Sequence, residues 1–130
     1  MAFKAELKIS DQTYRIQSCS YGFHRAIDQH GKPQTKTQGG TINVTIESVT
    51  DTFMSDWMFN DFERKDGEIT FFKTDSDAAA KTLKFTNAYL VDFQESFEAH
   101  GGMAMIANVV ISAEKLEIGD GELDNEWVVG

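Results

Sequence analysis

The sequence predicts a mainly β protein: an antiparallel β-barrel of two packed sheets, with one α-helix over about residues 51–65 and a long early loop. Three observations carry this. Most of the chain alternates apolar with polar residues, the period of a half-buried strand, and only the stretch 50–67 shows helical spacing instead. The runs 82–98 and 103–118 are much longer than ordinary strands of ~5–6 residues, so to surround a core they must twist and coil. Ten Phe residues supply filler for an interior, and one Pro leaves few breaks.

Taken in order, Phe3, Ala5, Leu7 and Ile9 alternate against Lys4, Glu6, Lys8 and Ser10, a strand with one buried face. Asp11 and Gln12 are read as the turn. Tyr14 and Ile16 then point inward, but Cys19, Tyr21, Phe23 and Ile27 hold the opposite parity, which requires a β-bulge near Gln17 and Ser18. From Asp28 to Gly40 apolar residues vanish while Gly, Lys and Gln accumulate around Pro33. A loop of that length inside a small domain is commonly functional. Ile42, Val44 and Ile46 restore a strand over 41–47.

The helix places Phe53, Met54, Trp57, Met58 and Phe62 on one broad arc, with Asp51 and Asp56 toward its start, Arg64 and Lys65 at its end and Gly67 as terminator. Asp61 falls inside the apolar arc and Phe59 outside it, which points to a second contact for Phe59. Beyond it, Ile69, Phe71 and Phe72 mark a short strand over 68–74. The two long strands follow, turned by His100, Gly101 and Gly102, and an acidic tail turns at Asp120–Gly121 before Asn125, Glu126 and Trp127. A Trp in a polar tail is expected to dock, on its own subunit or on another.

Register across the long hairpin predicts self-association. With Ala99–Gly102 as the loop, Glu98 faces Met103, and partners sum to a constant along the ladder. Phe97, Phe93, Val91, Phe85 and Leu83 then share the core face with Ala104, Asn108, Val110, Leu116 and Ile118. The other face carries Met103, Met105, Val109 and Ile111 beside Ala88 and Leu90, an apolar patch of the kind that marks an interface. Those four residues and Trp127 are the candidate subunit-interface residues.

Composition excludes several classes. A net charge of −9 with scattered Lys and Arg argues against nucleic acid as a partner. The single Cys19 makes no internal disulfide, and the start MAFKAELKIS lacks the apolar run of a signal peptide. No stretch approaches the ~20 apolar residues of a membrane helix. His24, His30 and His100 form no metal-ligand spacing, and no nucleophile elbow, phosphate loop or dinucleotide fingerprint occurs, so neither catalysis nor a cofactor or metal is expected. A small-ligand-binding β-barrel carrier is the alternative reading, and it requires an unfilled apolar lumen.

Several short stretches in order resemble the haemolysin-coregulated protein family of type VI secretion tube subunits, in its short Bacteroidetes branch. They are Cys19-Ser20-Tyr21 with Phe23 and Arg25, Asp28 with Gly31 and Pro33, Gly39-Gly40-Thr41-Ile42, Trp57-Met58, Asn87-Ala88-Tyr89, Glu95-Ser96-Phe97, Ile111-Ser112-Ala113 and Asn125-Glu126-Trp127. The resemblance implies one domain over 1–130 that forms hexameric rings. These stack into a tube, are expelled when a sheath contracts, and receive small effectors in the lumen, with sheath and spike proteins as further partners. Such a protein is cytoplasmic before firing and exported without a signal peptide. The family's early loop stacks ring on ring, which implies that role for Asp28, Gly31, Lys32, Pro33, Lys36, Gly39 and Gly40. The final Val128-Val129-Gly130 matches no pattern.

Overall fold

The computed structural model describes residues 4–47, 51–73, 78–97 and 105–127. Strand β1 (Lys4–Ile9) buries Ala5, Leu7 and Ile9 in strict alternation. It turns at Ser10 and Asp11, one residue earlier than expected, because Ile9 already pairs with Gln12 and Ser10 takes the left-handed φ of 54°. In β2 (Gln12–Tyr21) the ladder to β3 (Thr41–Glu47) jumps from Ile16↔Ile46 to Ser18↔Thr45. Gln17 is therefore the extra residue, at the place the parity change requires, and it lets Tyr14 before it and Cys19 and Tyr21 after it all meet the core.

Helix α1 is shorter than the spacing predicts: it runs Phe53–Phe59. Asn60 ends it in extended conformation, its side-chain oxygen accepts the Phe62 amide at 3.2 Å, and the Trp57 indole donates to the Glu63 carbonyl at 3.0 Å, folding the following chain back. Lys65 and Gly67 belong instead to β4 (Lys65–Phe72). Gly67 is no helix terminator. A Cβ there would lie 2.5 Å from the Phe85 ring and 2.6 Å from the Lys8 carbonyl oxygen, so glycine permits three strands to approach closely. Met54 and Trp57 are buried and Phe53 and Met58 pack beside them, whereas Phe62, expected on that arc, is 86% exposed.

The sheet order is β3-β2-β1-β4-β5-β6, with β5 (Ala79–Phe97) and β6 (Met105–Ile118), and β3 pairs back onto β6 to close a six-stranded antiparallel barrel. A further strand, β7 (Gly121–Asp124), turns at Gly119–Asp120 and extends the outer side of β6 beyond the end of β3. Closure removes the free edges that a flat sheet of such strands would expose.

The long hairpin departs from constant register. Leu83↔Ile118 through Leu90↔Ile111 keep the predicted sum, but the next pairs are Asp92↔Val110 and on to Phe97↔Met105, so Val91 is bulged out and Phe97 faces Met105. A second irregularity is at Asn87, whose φ is 54°. Leu83 and Phe85 point inward before it, Ala88 and Leu90 after it, and on β6 the switch occurs between Ala113 and Leu116. The face assigned to the core is therefore right for Leu83, Phe85, Leu116 and Ile118 and reversed from Ala88 to Leu90 and from Ala113 back to Ala107; past the Val91 bulge, Phe93 packs against the core as assigned. Val91 and Phe97, expected inside, are 50% and 65% exposed.

Candidate assembly surfaces

Residues 22–40 do not form an irregular loop. They make a two-stranded arm, held by reciprocal bonds between His24 and Gln38 (2.9 and 2.7 Å) and by the Gln34 amide on the Ala26 carbonyl at 2.8 Å. The Arg25 guanidinium donates to the Thr37 hydroxyl at 2.8 Å across the pair. At the tip the Asp28 carboxylate accepts the amides of His30 (2.8 Å) and Lys32 (3.0 Å), an Asx turn completed by Gly31 at φ 83°, and Pro33 pairs with Ile27. Apart from half-buried Asp28 and Thr37 and the Gly39–Gly40 base, its residues are exposed, so the arm stands off its own barrel. It is also basic in an acidic protein: Arg25, Lys32 and Lys36 face one acid, Asp28.

Gly39 and Gly40 form the arm's base. A Cβ on Gly39 would sit 2.6 Å from the Phe23 ring, and Gly40 has φ 107° with the Ala113 carbonyl and the Asn125 amide each 2.7 Å from the Cβ position. The Asn125 carboxamide donates to the carbonyls of Gly39 (3.1 Å) and Ala113 (3.2 Å), tying the tail to both the arm and β6. Trp127 docks on its own chain. Its ring lies 5.6 Å from that of Tyr89, and its amide donates to the Glu114 carboxylate at 2.8 Å. From the β6–β7 turn through β7 the chain carries Asp120, Glu122, Asp124 and Glu126 without an intervening base in sequence. Nearby, Lys115 pairs with Glu122 at 3.3 Å and Glu117 at 3.7 Å, and the hydrogen bond it donates to the Glu122 carboxylate raises its pKa.

The apolar interface face needs correction. Val109 and Ile111 are 1% and 0% exposed, core residues of this chain and no part of an outward patch. The parity switch opposite Asn87 turned them inward, a signal absent from alternation alone. Met105 remains on the surface beside Phe97, its cross-strand partner, while Met103 and the residues after Trp127 lie outside the described residues. Among the described residues Phe23, Ile27, Phe59 and Phe62 are exposed as well, besides Val91; helical spacing singles out Phe59, whereas alternation places Phe23 and Ile27 inward.

The barrel interior is filled by Trp57, Phe85, Leu7, Ile9, Ile69 and Leu83 among others, not left open as a carrier requires. Burial pushes the Cys19 thiol up to about 11. Burial also raises the Tyr14 phenol, reinforced by the Asp51 carboxylate that accepts its hydrogen bond at 3.2 Å. Among the described residues no group of three or more His, Cys, Asp or Glu is placed to hold a metal ion, and no helix is long and apolar enough to cross a membrane.

Comparison with known proteins agrees with this geometry. Hcp1 from Flavobacterium johnsoniae is 40% identical, superposes with a TM-score of 0.90, and the match covers 95% of this chain and 100% of that one. Hcp1 from Salmonella typhimurium, at 13% identity, shares the fold with a TM-score of 0.76 over 95% of each chain. A sheath–tube complex of an extracellular contractile injection system gives 0.59 at 18% identity over 92% of this chain and 90% of that one. No curated protein sequence matches significantly. A family model described as TssD, haemolysin-coregulated protein Hcp, matches residues 1–128, and the chain belongs to that family.

Proposed function

We propose that this chain is the structural subunit of a type VI secretion tube: it forms homo-hexameric rings that stack and are expelled by sheath contraction. The observation that carries this is the match to the Flavobacterium johnsoniae protein over that protein's whole length. Two features support it. A basic arm that makes no use of its own barrel implies a partner, and a barrel filled with side chains implies that any cargo travels in a lumen made by the ring, outside the individual barrel.

In this reading Asp28, Gly31, Lys32 and Pro33 shape the stacking tip, Lys36 contributes charge, and Gly39 and Gly40 set its base. Met105 with Phe97 supplies exposed apolar area for lateral contact, and Trp127 braces the wall through Tyr89. The role is mechanical and not catalytic. Sheath, spike and small effector proteins are the partners, and the assembly leaves the cell through the secretion apparatus. Electron micrographs of the purified protein test the reading: six-fold rings are expected, and a monodisperse monomer at micromolar concentration refutes it.

A further inference from the structure

The arm's tip and the arm's base are complementary, and one chain cannot bring them together. The tip exposes Ile27 (61%) with Lys32 in its turn, and Lys36 follows on the returning strand, two residues before Gln38. At the base, a groove of about 270 Å³ lies between the arm and the β6–β7 turn, with Phe23, Ile118 and Leu123 in its wall and Glu122 at its rim. Asp120 sits in the same turn. Paired strands from His24/Gln38 to Asp28/Lys32 hold the arm extended, so at ~3.3 Å per residue the tip is roughly 15 Å from the base and does not fold back. Among the described residues neither Lys32 nor Lys36 is in an ion pair.

We propose that the arm tip of one protomer seats in the arm-base groove of a second copy, Ile27 entering the apolar wall while Lys32 and Lys36 meet Asp120 and Glu122. The inference rests on the tube reading and names the acceptor for its stacking arm. The contact joins two different patches of the same chain. It is head-to-tail, and each copy that receives an arm also offers one; made between rings, such a contact repeats along the tube axis without closing on itself. Charge complementarity selects this occupant: the arm brings Lys32 and Lys36, and the β6–β7 turn with β7 carries acids with no base in sequence from Asp120 to Glu126. Because the ionic part is exposed, it weakens as salt rises.

A charge swap tests it, read by electron microscopy and sedimentation of full-length protein. Lys32→Glu with Lys36→Glu, and separately Asp120→Lys with Glu122→Lys, should each abolish stacks while single rings persist. An equimolar mixture of the two variants should restore mixed stacks, since each supplies the face the other lost. Melting curves guard the second variant, in which Lys115 loses its Glu122 partner: near-wild-type melting with stacks lost supports the pairing. Wild-type-like stacking by either variant, or a mixture that fails to stack, overturns it. Loss of rings in the arm variant would place the arm's partner within the ring and also overturn it. A wild type that makes no rings at all would sink the tube reading itself.

Discussion

The backbone amide of Asn87 donates to the Asp66 carboxylate at 2.8 Å, while Asn87 holds a left-handed φ of 54° and its carboxamide reaches Glu114 at 3.1 Å. This contact spans β4, β5 and β6 at the point where β5 changes which of its faces looks inward. Left-handed backbone costs most residues about 1–2 kcal/mol, and Asn and Gly least. Asn87→Gly keeps the left-handed backbone and loses only the Glu114 hydrogen bond, so it should cost about 1 kcal/mol, and Asn87→Val should cost about 1–2 kcal/mol more in chemical denaturation. Equal stability of the two variants would show that the backbone at Asn87 is not under conformational strain.

Gly40 and Asn125 lock the arm's base to the tail. A methyl group at Gly40 meets the Ala113 carbonyl and the Asn125 amide at 2.7 Å, with φ already at 107°, so Gly40→Ala should lower Tm markedly. Asn125→Ala strands two half-buried acceptors and should cost about 1–3 kcal/mol. Hydrogen exchange should show faster opening at residues 39–42 and 113 before the rest of the barrel.

Val109 and Met105 separate fold from assembly. Val109→Glu forces an unpaired charge into the core and should cost about 3–5 kcal/mol, enough to unfold a marginal domain. Met105→Glu changes an exposed side chain and should shift stability by less than about 0.5 kcal/mol while weakening association. Circular dichroism with light scattering on the same samples distinguishes the two effects.

Cys19 gives a pH signature. Its folded thiol is pushed up to about 11 from an ordinary 9.0, so the neutral form is favoured in the native state. That contribution is fully present below pH 9 and is lost as pH rises toward about 11. The stability difference between wild type and Cys19→Ala should be flat up to pH 9 and shrink above it. Reaction of the native thiol with alkylating reagents at neutral pH should be slow, because little thiolate is present.

Deleting Gln29 through Gln38 should leave folded single rings, since that part of the arm contributes no side chain to the core. Retention of Tm with loss of stacks in micrographs, and of secretion in cells, is the expected outcome. Secretion at the wild-type level would refute a stacking role.

Local pattern alone, which showed neither β7 nor the pairing within the arm, determined strands β1 to β6, the apolar centre of the helix around Trp57, the bulge at Gln17, the absence of core residues from 28–40 and, through ordered short motifs, the family. Each of these is written in neighbouring residues. Tertiary structure decided where α1 stops, because a carbonyl at Glu63 captures the Trp57 indole and Gly67 is claimed by its strand neighbours Ile9 and Phe85. It also decided that Trp127 docks on Tyr89, and that Val109 and Ile111 lie inside. Alternation reports which residues share a side only while the backbone stays regular. The break at Gln17 showed because apolar residues on both sides of it changed parity. At Asn87 an apolar residue occupies each parity, Tyr89 on one and Ala88 and Leu90 on the other, and the choice between them was made by Asp66 and Glu114, residues far away in the chain that only the closed barrel brings together.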